Sequence, residues 1–155
     1  MSFSEQANKT VSLRFLLKVD DGWPPVGMES IPCTRSGSGI GYCVENPPLF
    51  IKEISVGDVI SVSLDKNGDV AAWMHISKSR RSTIWLLRKQ KTPQIAAVLR
   101  SVREMGCNTV QLAEFGCFSI DVPAELSIDK VDACISLLPS ADVAVAHPSF
   151  RHEEA

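Results

Sequence analysis

A chain of 155 residues, 45% hydrophobic and 22% charged, lies in the ordinary globular range and can bury one good core or two small ones. The net charge of −2 is uneven: residues 78–103 hold eight Lys or Arg and no acid, and the remainder holds eight bases against eighteen acids, a poor match to a module that neutralises phosphates with an overall basic surface. No run of 18 apolar residues suits a membrane span, and "MSFSEQANKT" has neither the basic nor the apolar region of a secretory signal, so a cytoplasmic protein without membrane contact is expected.

Residues 1–10 are polar and aperiodic and are expected to be a disordered tail, as is "RHEEA" at 151–155. "VSLRFLLKV" is rich in strand formers and ends in the turn residues "DDGWPP". "MESIPCTRSGSGIGYCVENPPLF", interrupted by prolines, glycines and serines, predicts short strands joined by loops. Its "GSGIG" is not a phosphate loop, because Pro47 and Pro48 follow too soon for a helix to begin there. Two apolar runs, residues 59–64 and 70–76, flank "DKNGD" with Asn67-Gly68 at its centre, which predicts a hairpin. A turn at "SKSR" leads into "STIWLLR", apolar on both faces and therefore covered on both sides. In such a neighbouring-strand arrangement Trp73 and Trp85 form a packed pair.

After Lys91 the period becomes helical. Thr92 is an N-cap, Pro93 opens the helix, Ile95, Val98, Leu99, Val102 and Met105 form its stripe, and Gly106 closes it. "NTVQLAE" and "CFSIDVP" read as strands around "FG". Ser127 caps a second helix with Ile128, Val131, Ile135 and Leu138 inward, and "ADVAVAHP" is a last strand. The fold class is therefore α+β: an all-β subdomain over residues 11–81, a small β-barrel or curled antiparallel sheet, followed by a ferredoxin-like βαββαβ unit over residues 82–150.

Side chains suited to chemistry are sparse. The five cysteines are odd in number and form no C-x-x-C pair, so reduced, half-buried thiols are expected rather than a disulfide framework or a zinc site. None of the three histidines lies at i, i+4 from another ligand on a helix. His75 is the best general-base candidate, but alternation places Ser77 about 7 Å away on the same face, too far for direct proton transfer. Asp65, Asn67 and Asp69 echo a calcium loop, yet Ile76 stands where the bidentate Glu is required, so a turn explains them. No catalytic residue, metal or cofactor is assigned, and no enzymatic activity is expected.

The run "ISVGDVISVSLDKNGDVAAWMHISKSRRSTIWLL" resembles a family of small bacterial proteins catalogued as a domain of unknown function. The resemblance rests on Gly57-Asp58, on residues 79–83, on Gly106-Cys107 and on "SIDVP", and spans residues 50–123. Some members of such families lie beside polymorphic-toxin genes. The resemblance thus implies an immunity protein, a non-enzymatic partner that neutralises a cognate toxin by covering its active site. The acidic loops at Asp20, Asp21, Glu45 and Glu53 would face a basic cleft, or Arg80 and Arg81 would face acidic catalytic residues, with Trp23, His75 and Ser79 completing the partner-binding set. The alternatives are a small-molecule regulatory module and, less favoured, a single-stranded nucleic-acid binder using Trp73, Trp85 and the basic segment.

Overall fold

The computed structural model describes residues 10–37 and 39–152. Five strands, β1 (Thr10–Leu16), β2 (Met28–Arg35), β3 (Tyr42–Val44), β4 (Val59–Leu64) and β5 (Val70–Ser77), close into a barrel in chain order. Neighbours are antiparallel except at the seam. An up-and-down run of five strands leaves the first and last pointing the same way, so β1 meets β5 in parallel, at Phe15 and Val70. Leu13, Phe15, Ile31, Cys33, Val44 and Ile60 fill the barrel. Gly41 enters β3 at φ 114°, with the carbonyl oxygen of Ile60 only 2.7 Å from where a Cβ would sit. Only glycine permits that approach.

The β4–β5 turn forms as its Asn-Gly centre predicts. One carboxylate oxygen of Asp65 accepts the N–H groups of Asn67 (2.8 Å) and Asp69 (3.0 Å), and Asp69 pairs with Arg14. The calcium echo is thereby absorbed into turn chemistry. No cluster of three or more His, Cys, Asp or Glu suited to a metal occurs among the described residues.

The second half runs β6 (Ser82–Arg88), α1 (Gln94–Met105), β7 (Asn108–Leu112), a 3-10 turn (Ala113–Phe115), β8 (Cys117–Val122), α2 (Ile128–Ile135) and β9 (Val143–Ser149). Its sheet has the order β7-β8-β6-β9, with every neighbouring pair antiparallel. Ile95, Val98, Leu99 and Val102 of α1, with Val131, Cys134 and Ile135 of α2, cover Ile84, Leu86, Ile120 and Val122 on one sheet face. Thr92 Oγ1 accepts the Gln94 N–H at 3.3 Å, and Gly106 ends α1 with φ 113° and a bond to Arg103 O. Met105 departs from the expected stripe, at 36% exposure. Ser127 stands at the head of α2, but its hydroxyl makes no cap bond; its carbonyl accepts the Lys130 N–H instead.

Two expectations need correction. β5 and β6 belong to different sheets, so Trp73 and Trp85 are not a cross-strand pair. Trp73 packs on the barrel core and meets the His75 ring edge-on at 5.1 Å, whereas Trp85 lies on the second sheet. The chain end is also tied down where a tail was expected: Thr10 already belongs to β1, and Arg151 and His152 are anchored by side-chain bonds. The rest of both expected tails, residues 1–9 and 153–155, lies outside the described residues. No helix among them is long and apolar enough to cross a membrane.

Candidate functional site

The barrel and the second sheet meet at the segment between β3 and β4, and polar bonds set how they meet. The carbonyl of Pro48 accepts Trp85 Nε1–H at 2.7 Å and the Ser119 hydroxyl at 2.8 Å. The two Glu29 oxygens accept the N–H groups of Leu49 (2.6 Å) and Phe50 (2.9 Å). Burial pushes the Glu29 carboxyl above the ordinary range, although the two amides act against that. Ser55 donates to Ser149 at 2.7 Å and lies 3.2 Å from Thr83 Oγ1, all three fully or nearly fully buried.

Asp58 is the hub of this junction. Its side chain is fully buried, and it accepts from Ser55 N, Ser79 N, His75 Nε2 and both terminal nitrogens of Arg151 at 2.7–3.0 Å. Burial alone would raise its pKa, but the Arg151 guanidinium, the two backbone amides and His75 together hold it below the ordinary 3.8. A carboxylate that stays ionised makes His75 Nε2 the donor. Arg151 also donates to the carbonyls of Ser79 and Glu53. Beside it, Ser82 Oγ accepts the Arg151 N–H at 2.7 Å and sits 2.6 Å from His152 Nδ1, while His152 Nε2 donates to Pro123 O at 2.8 Å.

Asp121 is a second buried carboxylate. It receives two bonds from Arg81, at 2.9 and 2.5 Å, and one from Asn108 at 2.9 Å. Every buried side-chain nitrogen and oxygen among the described residues has a hydrogen-bond partner. These clusters tie the barrel to the second sheet.

A hollow of about 610 Å³ is lined by Arg80, Glu125, Ser127, Arg151 and His152, and a smaller opening is apolar. Above the sheet face turned away from the helices lies a half-open pocket of about 250 Å³, lined by Trp23, Leu49, Trp85, Leu87, Cys117 and Ala144 among others. Trp23 reaches its rim through local turn chemistry. Asp20 and Trp23 exchange backbone bonds at 2.9 and 3.1 Å, and Asp21 and Gly22 between them both have positive φ, 54° and 76°. That is the two-residue hairpin turn favoured by Asp-Gly. Trp23 is half exposed and meets Phe50 edge-on at 5.9 Å.

The expected partner-binding residues thus fall into separate groups. Asp20, Asp21 and Trp23 share one exposed turn at the pocket. His75 and Ser79 are consumed around Asp58, the Ser79 hydroxyl donating to Val56 O at 2.6 Å, and Arg81 is bound to Asp121 rather than displayed. Glu45, Glu53 and Arg80 are exposed. Of the residues the nucleic-acid alternative would use, Trp73 and Trp85 lie in different sheets and Arg81 is bound to Asp121. Sequence reasoning missed Asp58, Asp121, Glu29, Arg151 and the pocket floor. An acid inside a strand with apolar neighbours, as in "SIDVP", was the available signal for a buried ion pair.

A family model described as a domain of unknown function, DUF4265, matches residues 29–144. The chain belongs to the DUF4265 family. The match takes in β2 to the start of β9, and with them the Gly57-Asp58 corner, Asp121 and all but one of the pocket residues named above; only Trp23 precedes it. A hypothetical protein from Neisseria gonorrhoeae is similar in structure, with TM-score 0.67 over 93% of this DUF4265 chain and 96% of that one at 12% identity. At that identity the likeness speaks for the fold alone. No curated protein matches the chain.

Proposed function

We propose that the protein works by binding rather than by catalysis, and that it takes an apolar side chain of a protein partner into the pocket between Trp23 and Trp85. The observation that carries this is the pocket itself: almost wholly apolar, rimmed by a half-exposed indole, and set beside the acidic pair Asp20 and Asp21. Exposed Trp on an otherwise polar turn is the composition of an interface anchor. The acids favour a partner that is basic around its anchoring side chain.

An immunity protein covering a toxin's active site is one form of this function, supported by the need for contact surface alone. The apolar pocket, at about 250 Å³, is below the ~300–1,000 Å³ of ligand pockets, so the small-molecule alternative draws its support from the larger hollow of about 610 Å³ at Arg80, Glu125, Arg151 and His152. We read the second half as a ferredoxin-like unit, a reading supported by its βαββαβ order and the β7-β8-β6-β9 sheet.

The test is a titration of isotope-labelled protein with N-acetyl-leucinamide and N-acetyl-phenylalaninamide, followed by NMR. Saturable shifts of the Trp23 and Trp85 indole N–H signals are expected, and Trp23→Ala removes them. Titrations that leave both indoles unmoved would overturn the proposal.

A further inference from the structure

The pocket borders an edge. Ala144 and Ala146, two of its lining residues, are alternate positions of β9, and β9 pairs with β6 on one side and with no strand on the other among the described residues. Proteins ordinarily protect such an edge with charge, proline or a bulge. The opposite edge, β7, has polar Asn108, Thr109 and Gln111, with Asn108 bound to Asp121 and Thr109 to Arg103. In β9 the bulge and Pro148 come only at the far end, where Glu53 N bonds Pro148 O. Residues 143–146, Val-Ala-Val-Ala, carry none of these protections, and within them the Val143 N–H is already taken by Pro139 O at 3.0 Å.

Apolar surface continues around this edge. Val145 on β9, itself one of the residues lining the pocket, is 43% exposed, with the partly exposed Phe150 stacked edge-on against His147 just beyond. An added strand sends alternate side chains to opposite faces and would cover both. The pocket volume suits one large side chain of such a strand. Asp142 immediately before β9, Asp132 near His147, and Asp20 and Asp21 at the rim supply negative charge, against Arg88, which pairs with Val143 from β6, and Lys89, whose amide bonds Asp142 O.

We propose that the partner contributes an extended, Lys- or Arg-flanked segment that pairs with β9 at residues 143–146 and seats one apolar side chain in the pocket. This rests on the pocket reading above and adds the backbone pairing and the charge of the partner.

The probe is a nine-residue peptide of Val and Leu with Lys at both ends, compared with its Glu-ended counterpart and with a version whose two central amides are N-methylated. Amide shifts at residues 143–146 together with the Trp23 indole are expected for the Lys peptide, and binding at least about ten-fold weaker for the other two. Val145→Lys, at a position both exposed and on the pocket's lining, is expected to weaken the Lys peptide by a similar factor with an unchanged far-ultraviolet spectrum and melting temperature, and titration of this variant with N-acetyl-leucinamide reads the pocket separately.

Equal binding by the N-methylated peptide would sink the edge pairing while leaving the pocket reading intact. Equal binding by the Glu peptide would remove the charge preference. Lack of response to all three peptides, with N-acetyl-leucinamide still bound, would overturn this inference alone. Concentration-dependent dimerisation abolished by Val145→Lys would assign the edge to a second copy of the chain and overturn it likewise.

Discussion

Arg151 reaches back 93 positions to Asp58 and bonds both of its oxygens, at 2.7 and 2.9 Å, in a site where the carboxylate is fully buried. One residue near the end of the described chain thereby clamps the second sheet to the barrel.

Breaking this clamp by removing Arg151 leaves a buried carboxylate without its guanidinium, held only by His75 and two amides, which costs up to about 3–5 kcal/mol. Arg151→Ala is expected to lower the urea midpoint by that amount of free energy. Asp58→Ala/Arg151→Ala is expected to be much less destabilised than the sum of the single changes, because no buried charge remains. Additive effects in that cycle would contradict the clamp.

The same carboxylate sets an acid limb. Its folded pKa lies below its ordinary 3.8, so the stability it contributes is complete above that value and is lost as pH falls toward the folded value. Unfolding free energies measured from pH 6 down to pH 2 are expected to drop steeply below about pH 4. Asp58→Asn is expected to be less stable at pH 6 but to show a shallower decline. Parallel curves for the two proteins would exclude Asp58 as the titrating group.

Glu29 positions the pocket without lining it, through its bonds to the amides of Leu49 and Phe50. Glu29→Ala leaves two amides unsatisfied in a half-buried loop and is expected to cost about 1–3 kcal/mol. It is also expected to shift the Trp23 fluorescence, since Phe50 backs that indole. An unchanged emission spectrum would separate Glu29 from the pocket.

Gly41→Ala is expected to destabilise by about 3 kcal/mol or more, because the new methyl would meet Ile60 O at 2.7 Å at a φ that side chains rarely adopt. Gly68→Ala, with φ 81° but nothing within 4 Å, is expected to cost only about 1–2 kcal/mol. Thermal melts of the two variants rank them; a smaller loss at Gly41 would contradict the close packing of β3 against β4.

Thiol labelling offers a further check on the interior. All five cysteines are free, and burial pushes the Cys33 and Cys107 thiols up to about 12. Iodoacetamide at pH 8 is expected to leave both unmodified in native protein and to label Cys43 first, with all five reacting in urea. Native labelling of Cys33 at the rate of Cys43 would contradict the barrel core.

Much of the fold was legible because its signals are local. Alternating apolar runs, the Asn67-Gly68 turn, the start and Gly106 stop of α1, and the switch from strand to helical period all depend on residues within a few positions of one another. The start of α1 falls at Gln94 with Pro93 as the cap, one residue after the expected Thr92 cap. The exposed turn of Asp20, Asp21 and Trp23 was legible for the same reason. Tertiary structure alone decided that five strands close with a parallel seam, that Trp73 and Trp85 part company, and that Arg151 and Arg81 are spent on Asp58 and Asp121. Those bonds join residues 93 and 40 positions apart, and no spacing rule reaches so far. The pocket belongs to this second class, because its walls come from the turn before β2, the segment before β4 and three strands of the second sheet, which are neighbours only once both cores have formed.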